Sequence, residues 1–223
     1  MLRAVFFDAT HTLIHAPKGV AHHYWLVAQR HGLNIDEAAL RIAFRAAWFA
    51  APARPAQLGA RSDDDKNWWK QLVTDVLQRC DFTPENDDLF SRYFEELYAH
   101  FKEPGVWELY PDVKPTLAAL REKYALGVIS NFDQRLRVIL DHLGVGSLFQ
   151  TIVLSSEAGA DKPHPQIFQC ALARVGAKPD EALHVGDDPI HDWQGAKQVG
   201  MHVFHLDRKQ NSLLDVPQFA AAL

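Results

Sequence analysis

The chain opens on a short apolar run, Ala4-Val-Phe-Phe7, that stops at an acid, Asp8. Val5, Phe6 and Phe7 favour a pleated, buried environment, so the run predicts a strand. After Leu13 the spacing of apolar residues changes from strand-like to helical. Tyr24, Val27 and Ala28 form one stripe, and Gly32 is placed to end that helix. Asp36 can cap a second helix whose apolar face is Leu40, Ala43, Phe44, Ala47 and Trp48, and the Ala-Pro-Ala-Arg-Pro stretch at 51–55 breaks it. Ser62 and Asp65 are spaced like a capping box ahead of Trp69, Leu72, Val73, Val76 and Leu77. Thr83-Pro84-Glu85 predicts a fourth start with Pro at the first helical position, followed by Leu89, Phe90, Phe94, Leu97 and Phe101.

From about residue 105 the pattern alternates apolar runs with amphipathic helices, which predicts a parallel α/β sheet. The runs are Leu126–Asn131, Ile152–Ser155, Ala182–Asp187 and Met201–Leu206. Helices are expected at 112–123, from Asp133 to a stop at Gly144, at 165–175 and at about 190–199. With the first run this makes five parallel strands, each ending near a polar or acidic residue. The expected organisation is an α/β core of residues 1–15 and 105–223, interrupted by a helical insertion at 16–104. Trp25, Trp48, Trp68 and Trp69 fall in the insertion, where large aromatics are expected to build its core.

Composition narrows the possible functions. The 223 residues are 48% hydrophobic and 23% charged, ordinary for a globular protein, and the net charge is −5. That balance carries no basic footprint for nucleic acid or anionic membrane. No apolar stretch approaches a membrane span, and the first run is too short for a leader. Cys80 and Cys170 are far apart and out of any metal-ligand spacing, so both read as small core residues in a reducing compartment. A cytoplasmic protein, monomer or homodimer, is expected. The 12 histidines are scattered and contain no His-Glu-x-x-His pair.

Four stretches carry candidate chemistry. Asp8 stands where a parallel strand ends, the place where open α/β sheets put ligands, and a carboxylate there can be a nucleophile. The alternative is a capped turn with Thr10 and Thr12 as hydrogen-bonding neighbours. Ser130 and Asn131 end a strand with a hydroxyl and an amide able to donate to an anionic oxygen, although such a pair is also common turn chemistry. Lys162, in Asp161-Lys-Pro-His-Pro165, is presented by a backbone that two prolines stiffen; its alternative is a solvated surface lysine. Gly186-Asp-Asp-Pro-Ile-His-Asp192 places three acids, Asp187, Asp188 and Asp192, at one strand end. Such a cluster suits Mg²⁺, a hard ion that accepts an incomplete protein shell.

Taken together, Asp8 to Leu13, Ser130-Asn131, Lys162-Pro163 and Gly186-Asp187 with Asp192 resemble the four motifs of the haloacid dehalogenase (HAD) superfamily. The resemblance covers essentially the whole chain, and the insertion looks like that superfamily's helical cap. Val128-Ile-Ser-Asn-Phe-Asp133 and the run from Gly195 to Met201 are most similar to the subgroup of the flies' rhythmically expressed gene protein. The resemblance implies a Rossmann-like core, a mobile cap, and phosphoryl transfer to a small-molecule phosphorylated substrate. It implies Asp8 as nucleophile, with Ser130, Asn131 and Lys162 on the phosphoryl group. It implies Mg²⁺ between Asp8, the Thr10 carbonyl and Asp187, with Asp192 orienting that shell and Asp188 reaching a metal-bound water.

One position departs from the pattern. The superfamily's phosphatases carry a second aspartate two residues after the nucleophile, to protonate the leaving group and later activate water. This chain has Thr10, and loss of a general acid–base typically removes ~10²–10⁴ in rate. His11 is adjacent and titrates in a useful range, but a neighbour on an extended segment faces the other way. Three readings follow: a Mg²⁺-dependent phosphohydrolase that is slow or limited to activated donors, a 2-haloacid dehalogenase, and a non-catalytic or regulatory binding protein. A metal-free halide site has no use for the acids after Gly186, which counts against the second. Substrate identity is not readable, because Arg41, Arg45, Arg54, Arg61 and Lys66 serve equally well as solvated charges.

Overall fold

A computed structural model describes residues 1–84 and 86–223, and they divide into two compact units. One comprises residues 1–15, 55–64 and 108–223; the other comprises 16–54 and 65–107.

The first unit is built on a parallel sheet. Strands β1 (Ala4–Phe7), β4 (Ala125–Ser130), β5 (Thr151–Leu154), β6 (Ala182–Gly186) and β7 (His202–His205) lie in the order β5-β4-β1-β6-β7. Every neighbouring pair is parallel, as expected from the alternation of apolar runs and helices. Strands β1 and β6 are buried at every residue, which is what a sheet covered on both faces demands. Helix α8 (Pro165–Val175) covers one face, where Ile167, Phe168, Ala171 and Leu172 pack with Phe6, Ile129, Val153 and Met201. Register then sets where the chemistry falls. Phe7 lies opposite Val128 and Val185, so Asp8, Ser130 and Asp187 emerge together, one or two residues beyond that level. The chain leaves β1 for opposite sides of the sheet at β4 and β6, the crossover that opens a crevice at the carboxyl ends of strands.

A two-residue ribbon not expected from the sequence joins β2 (Ile14–His15) to β3 (Glu108–Leu109), where the chain leaves this unit and comes back. The remaining helices are α5 (Val113–Leu120), α6 (Arg135–His142), the single turns α7 (Ser155–Ala158) and α9 (Gly195–Gln198), and α10 (Val216–Ala221). The helix expected from Ile190 is instead a wide, π-type turn over Pro189–Gln194 running into α9.

Residues 55–64 were expected within the insertion but fold as a strap on the α/β unit. Gln57 N–H donates to the Gly159 carbonyl at 2.8 Å, Arg61 N–H to that of Ser156 at 2.7 Å, and the Ser156 hydroxyl to Asp64 Oδ1 at 2.6 Å. Arg61 pairs with Asp161 at 3.1 Å, so it is not a solvated charge. Gly159, at φ +75°, is required here: a Cβ would lie 2.2 Å from the Gly59 carbonyl oxygen.

The second unit contains helices α1 (Val20–Arg30), α2 (Glu37–Ala50), α3 (Lys66–Gln78) and α4 (Asp87–His100). Asp36 caps α2 through Ala39 N–H, as expected. The capping box at Ser62 does not form. Asp65 takes the cap position of α3 at φ +63° and turns its carboxylate to Arg54, 3.0 Å away. Helix α4 starts at Asp87, not at Pro84, because Asn86 accepts from Leu89 N–H and caps it; Glu85, part of the expected start, lies outside the described residues. Tyr24, Leu40, Leu77, Tyr93, Phe94 and Leu97 form the core. The tryptophans do not. Trp48 is 45% exposed and the other three are half-buried, and Trp48, Trp68 and Trp69 touch one another at the margin. An indole N–H needs an acceptor, which Trp68 finds in the Pro52 carbonyl at 2.9 Å, outside the packed centre. Cys80 and Cys170 are both half-buried, and Cys170 packs against the core under α8. Among the described residues, no helix is long and apolar enough to cross a membrane.

Candidate active site

Asp8 ends β1 with its N–H bonded to the Val185 carbonyl at 2.9 Å, which pins the residue to the rim of β6. Its side chain is buried, 8% exposed for the whole residue, and faces Lys162. The Lys162 ammonium is itself buried and donates to Asp8 Oδ1 and to Asp192 Oδ1, each at 2.6 Å. The surface-lysine alternative is therefore gone. Asn131 closes a two-bond ring with the Lys162 backbone, its Nδ2 donating to the carbonyl at 3.0 Å and its Oδ1 accepting the N–H at 2.6 Å. The amide expected to face an anion instead fixes the lysine. Ser130, buried at the end of β4, is the polar residue just before it.

The acids after β6 divide their work. Asp187 Oδ1 accepts from the Thr12 hydroxyl at 3.2 Å. Asp188 turns away and caps the π-type turn, accepting from Ile190 N–H at 2.8 Å and His191 N–H at 2.7 Å. It does not join the acid cluster, in which carboxylate oxygens of Asp8, Asp187 and Asp192 lie within 4.8 Å of one another. Asp192 is fully engaged: Oδ1 takes Lys162 and His184 Nε2, the latter at 2.9 Å, and Oδ2 takes Asp188 N–H at 3.1 Å. Gly186 permits this, since a Cβ there would meet the Asp192 carboxylate at 2.3–2.6 Å. Thr10 lies on the turn after Asp8, paired with Ile14, and His11 adopts φ +65°. The segment is thus a turn and not extended chain, so His11 is not directed away from Asp8 by strand alternation.

Sequence reading missed His184, which lies at the centre of the all-buried strand β6. A polar residue in a strand that is otherwise apolar was the available signal. Its Nε2 donates to Asp192, while the buried Nδ1 has no partner among the described residues, so the ring is neutral with its proton on Nε2. Burial holds the His184 imidazole below its ordinary range despite the neighbouring carboxylate.

Two buried carboxylates, Asp8 and Asp192, and the half-buried Asp187 cluster beside the Lys162 ammonium, and the titration of the cluster follows from that excess of acid. Burial, with Asp192 and Asp187 nearby, pushes Asp8 up to about 7, against the opposing pull of Lys162. Asp187 is also raised by burial and by Asp192. Burial alone would lower the Lys162 ammonium, but Asp192 and Asp8 outweigh it and hold it above its usual range. Asp192 goes the other way, because Lys162 and His184 overcome the cost of its burial. A hard divalent cation suits this donor set: oxygen ligands from Asp8 and Asp187, in a site whose negative charge exceeds its positive charge.

The comparisons agree with the geometry. The family model described as haloacid dehalogenase-like hydrolase matches residues 2–200. Haloacid dehalogenase-like hydrolase domain-containing protein 3 of Danio rerio is 34% identical over 222 residues, 97% of this chain and 90% of that one. The rhythmically expressed gene 2 protein of Drosophila melanogaster is 30% identical over 213 residues, covering 90% and 81%. The glyceraldehyde 3-phosphate phosphatase of Methanopyrus kandleri is 36% identical over 135 residues, 57% of this chain and 55% of that one. Among solved structures, the defluorinating L-2-haloacid dehalogenase Rha0230 superposes with a TM-score of 0.76 at 23% identity, covering 100% and 95%. The HAD phosphatase of Thermococcus onnurineus gives 0.68 at 23%, covering 98% and 97%. With its sheet order, its crevice and its four motifs, the chain belongs to the haloacid dehalogenase-like hydrolases.

Proposed function

We propose that this hydrolase is a Mg²⁺-dependent phosphohydrolase acting on a small phosphorylated molecule through a phosphoaspartyl intermediate on Asp8. The observation that carries the reading is the acid excess: carboxylate oxygens of Asp8, Asp187 and Asp192 lie within 4.8 Å of one another, and the Lys162 ammonium pairs with Asp8 and Asp192. Asp8, Asp187 and the Thr10 carbonyl would hold the metal. When bound, Mg²⁺ supplies the positive charge that keeps Asp8 ionised and offsets the charge of the phosphoryl oxygens.

The chain's own residues supply the rest. An Asp8 oxygen attacks phosphorus, and the bond to the leaving oxygen breaks as the acyl phosphate forms. Lys162, fixed by Asn131 and Asp192, places its charge beside the transferring group and needs no rearrangement to do so. Ser130 offers its hydroxyl to the same oxygens. Water then attacks phosphorus and releases phosphate, which regenerates Asp8. Thr10 gives neither step a carboxyl, so donors with good leaving groups are favoured. That same threonine favours a second reading, a protein that binds phosphorylated ligands without turning them over.

A panel of p-nitrophenyl phosphate, acetyl phosphate, alkyl phosphates and 2-haloacids, assayed with and without Mg²⁺, separates the readings. Metal-dependent hydrolysis of the activated phosphates, abolished in Asp8→Asn, is expected. Metal-independent release of halide would replace the proposal with dehalogenation. Phosphate binding without any turnover would leave the binding protein.

A further inference from the structure

The nucleophile turn is held from the far end of the chain. Arg208, in the segment after β7, spreads its guanidinium over three elements. Nε donates to the His11 carbonyl at 3.1 Å and Nη2 to the Thr12 carbonyl. Nη1 donates to both Asp112 oxygens, at 3.0 and 3.3 Å. The guanidinium also lies over the Tyr110 ring, 3.4 Å from its centroid. Its partners are fixed in turn: Asp112 Oδ2 accepts Leu213 N–H at 3.0 Å, and Tyr110 N–H donates to the Leu13 carbonyl at 3.1 Å.

We propose that Arg208 is the positioning residue of the turn from Asp8 to Leu13, clamping it against Tyr110 and Asp112. The turn needs such a clamp. His11 sits at φ +65°, in the left-handed region that a residue with a Cβ rarely adopts. The His11 and Thr12 carbonyls leave the turn side by side, and a planar fork of donors satisfies both where a lysine point charge cannot. Thr12 then transmits the constraint, since its carbonyl is bound to Arg208 while its hydroxyl donates to Asp187. Arg208 thus sets the relative placement of Asp8 and Asp187 while touching neither.

The effect on turnover rests on the phosphohydrolase reading; the effect on the turn does not. Arg208→Ala and Arg208→Lys, made in the full chain, are compared with the natural protein in two measurements. The first is amide hydrogen exchange followed by mass spectrometry. Peptides covering residues 9–14 should exchange about tenfold faster or more, with β1 unchanged, because the turn now opens locally. The second is p-nitrophenyl phosphate hydrolysis across a Mg²⁺ titration. A drop in kcat of about 10–100-fold is expected, with KM moved less than about threefold and a higher Mg²⁺ half-saturation, since misplacement by an ångström costs that much. Arg208→Lys should fall between, its ammonium keeping Asp112 but not both carbonyls; if Arg208→Ala fails to fold, it carries both measurements. Unchanged exchange at 9–14 overturns the assignment, and so does an activity loss confined to KM. Should the natural protein show no turnover, the phosphohydrolase reading falls and the exchange measurement alone decides for or against Arg208.

Discussion

Thr10 stands two residues past Asp8, and under the proposed phosphoryl transfer the carboxyl it lacks decides which donors the site would use. Forming the phosphoaspartate needs leaving-group protonation only when the leaving alkoxide is basic; breaking it down needs an activated water whatever the donor was. A burst followed by slow turnover is therefore expected with p-nitrophenyl phosphate, and almost none with alkyl phosphates. Thr10→Asp should raise alkyl-phosphate turnover by up to about 10²-fold, the lower end of a general acid–base contribution. Rapid-quench kinetics of both proteins, with Asp8→Asn as blank, reads this directly. Brisk alkyl-phosphate hydrolysis by the natural sequence would show that another group already delivers the proton, and His11, turned by its left-handed backbone, would be the first to replace. At this scale the sequence was readable wherever an acid or a lysine interrupts a strong local pattern, as Asp8, Lys162 and Asp187 do. His184 and Arg208 were not. Their roles come from partners many positions away, Arg208 meeting Thr12 across 196 residues.

Among the elements, the π-type turn over Pro189–Gln194 shows how neighbouring acids acquire different jobs. Against the cost of burial, the His191 N–H and imidazole and the Ile190 N–H hold the Asp188 carboxylate below its usual range. Asp187, one residue earlier, would give an oxygen to the proposed cation. Asp187→Asn should accordingly weaken Mg²⁺ binding by more than about tenfold, since half of a two-acid ligand set loses its charge. Asp188→Asn should leave affinity and stability almost unchanged, because asparagine caps a helix about as well as aspartate. Isothermal calorimetry with equal losses for the two would refute that division. The turn itself was invisible in the sequence, where the same residues carry ordinary helical spacing. The limits of α8 were legible to the residue because Pro165 and Gly176 punctuate it, and those of α3 were not, because Asp65 answers to Arg54 instead of to its own helix.

For the whole molecule, acid is the informative stress. His23 in the helical unit is buried, with Nδ1 3.0 Å from His100 Nε2, and His100 leans on Glu103 at 2.8 Å. Burial, then His100, His22 and Lys18, lower His23 to about 4, whereas the unfolded chain takes up that proton near 6.5. The unfolded state therefore binds more protons between these values, so stability is complete above pH 6.5 and falls as the pH drops toward 4. The loss should be on the order of 2 kcal/mol. Urea denaturation at pH 7.5 and 4.5 checks it, and His23→Phe should remove most of that pH difference; an equal slope in both proteins would assign the acid sensitivity elsewhere. The five-stranded architecture could be read from the sequence because strand and helix periods alternate cleanly after residue 105. The allegiance of residues 55–64 could not, since a proline-broken loop carries no period, and where it docks is set by distant residues such as Gln134, Ser156, Gly159, Asp161 and Gln166. That strap bears on how such proteins diversify. The backbone passes between the two units four times, near residues 15, 54, 64 and 107, so the helices are not a cassette with one entry and one exit. Recombination that exchanged the whole inserted stretch would strip the cover from Gly159 and the Arg61 ion pair from Asp161. An inherited swap is tolerable only in two pieces, around a strap that stays behind.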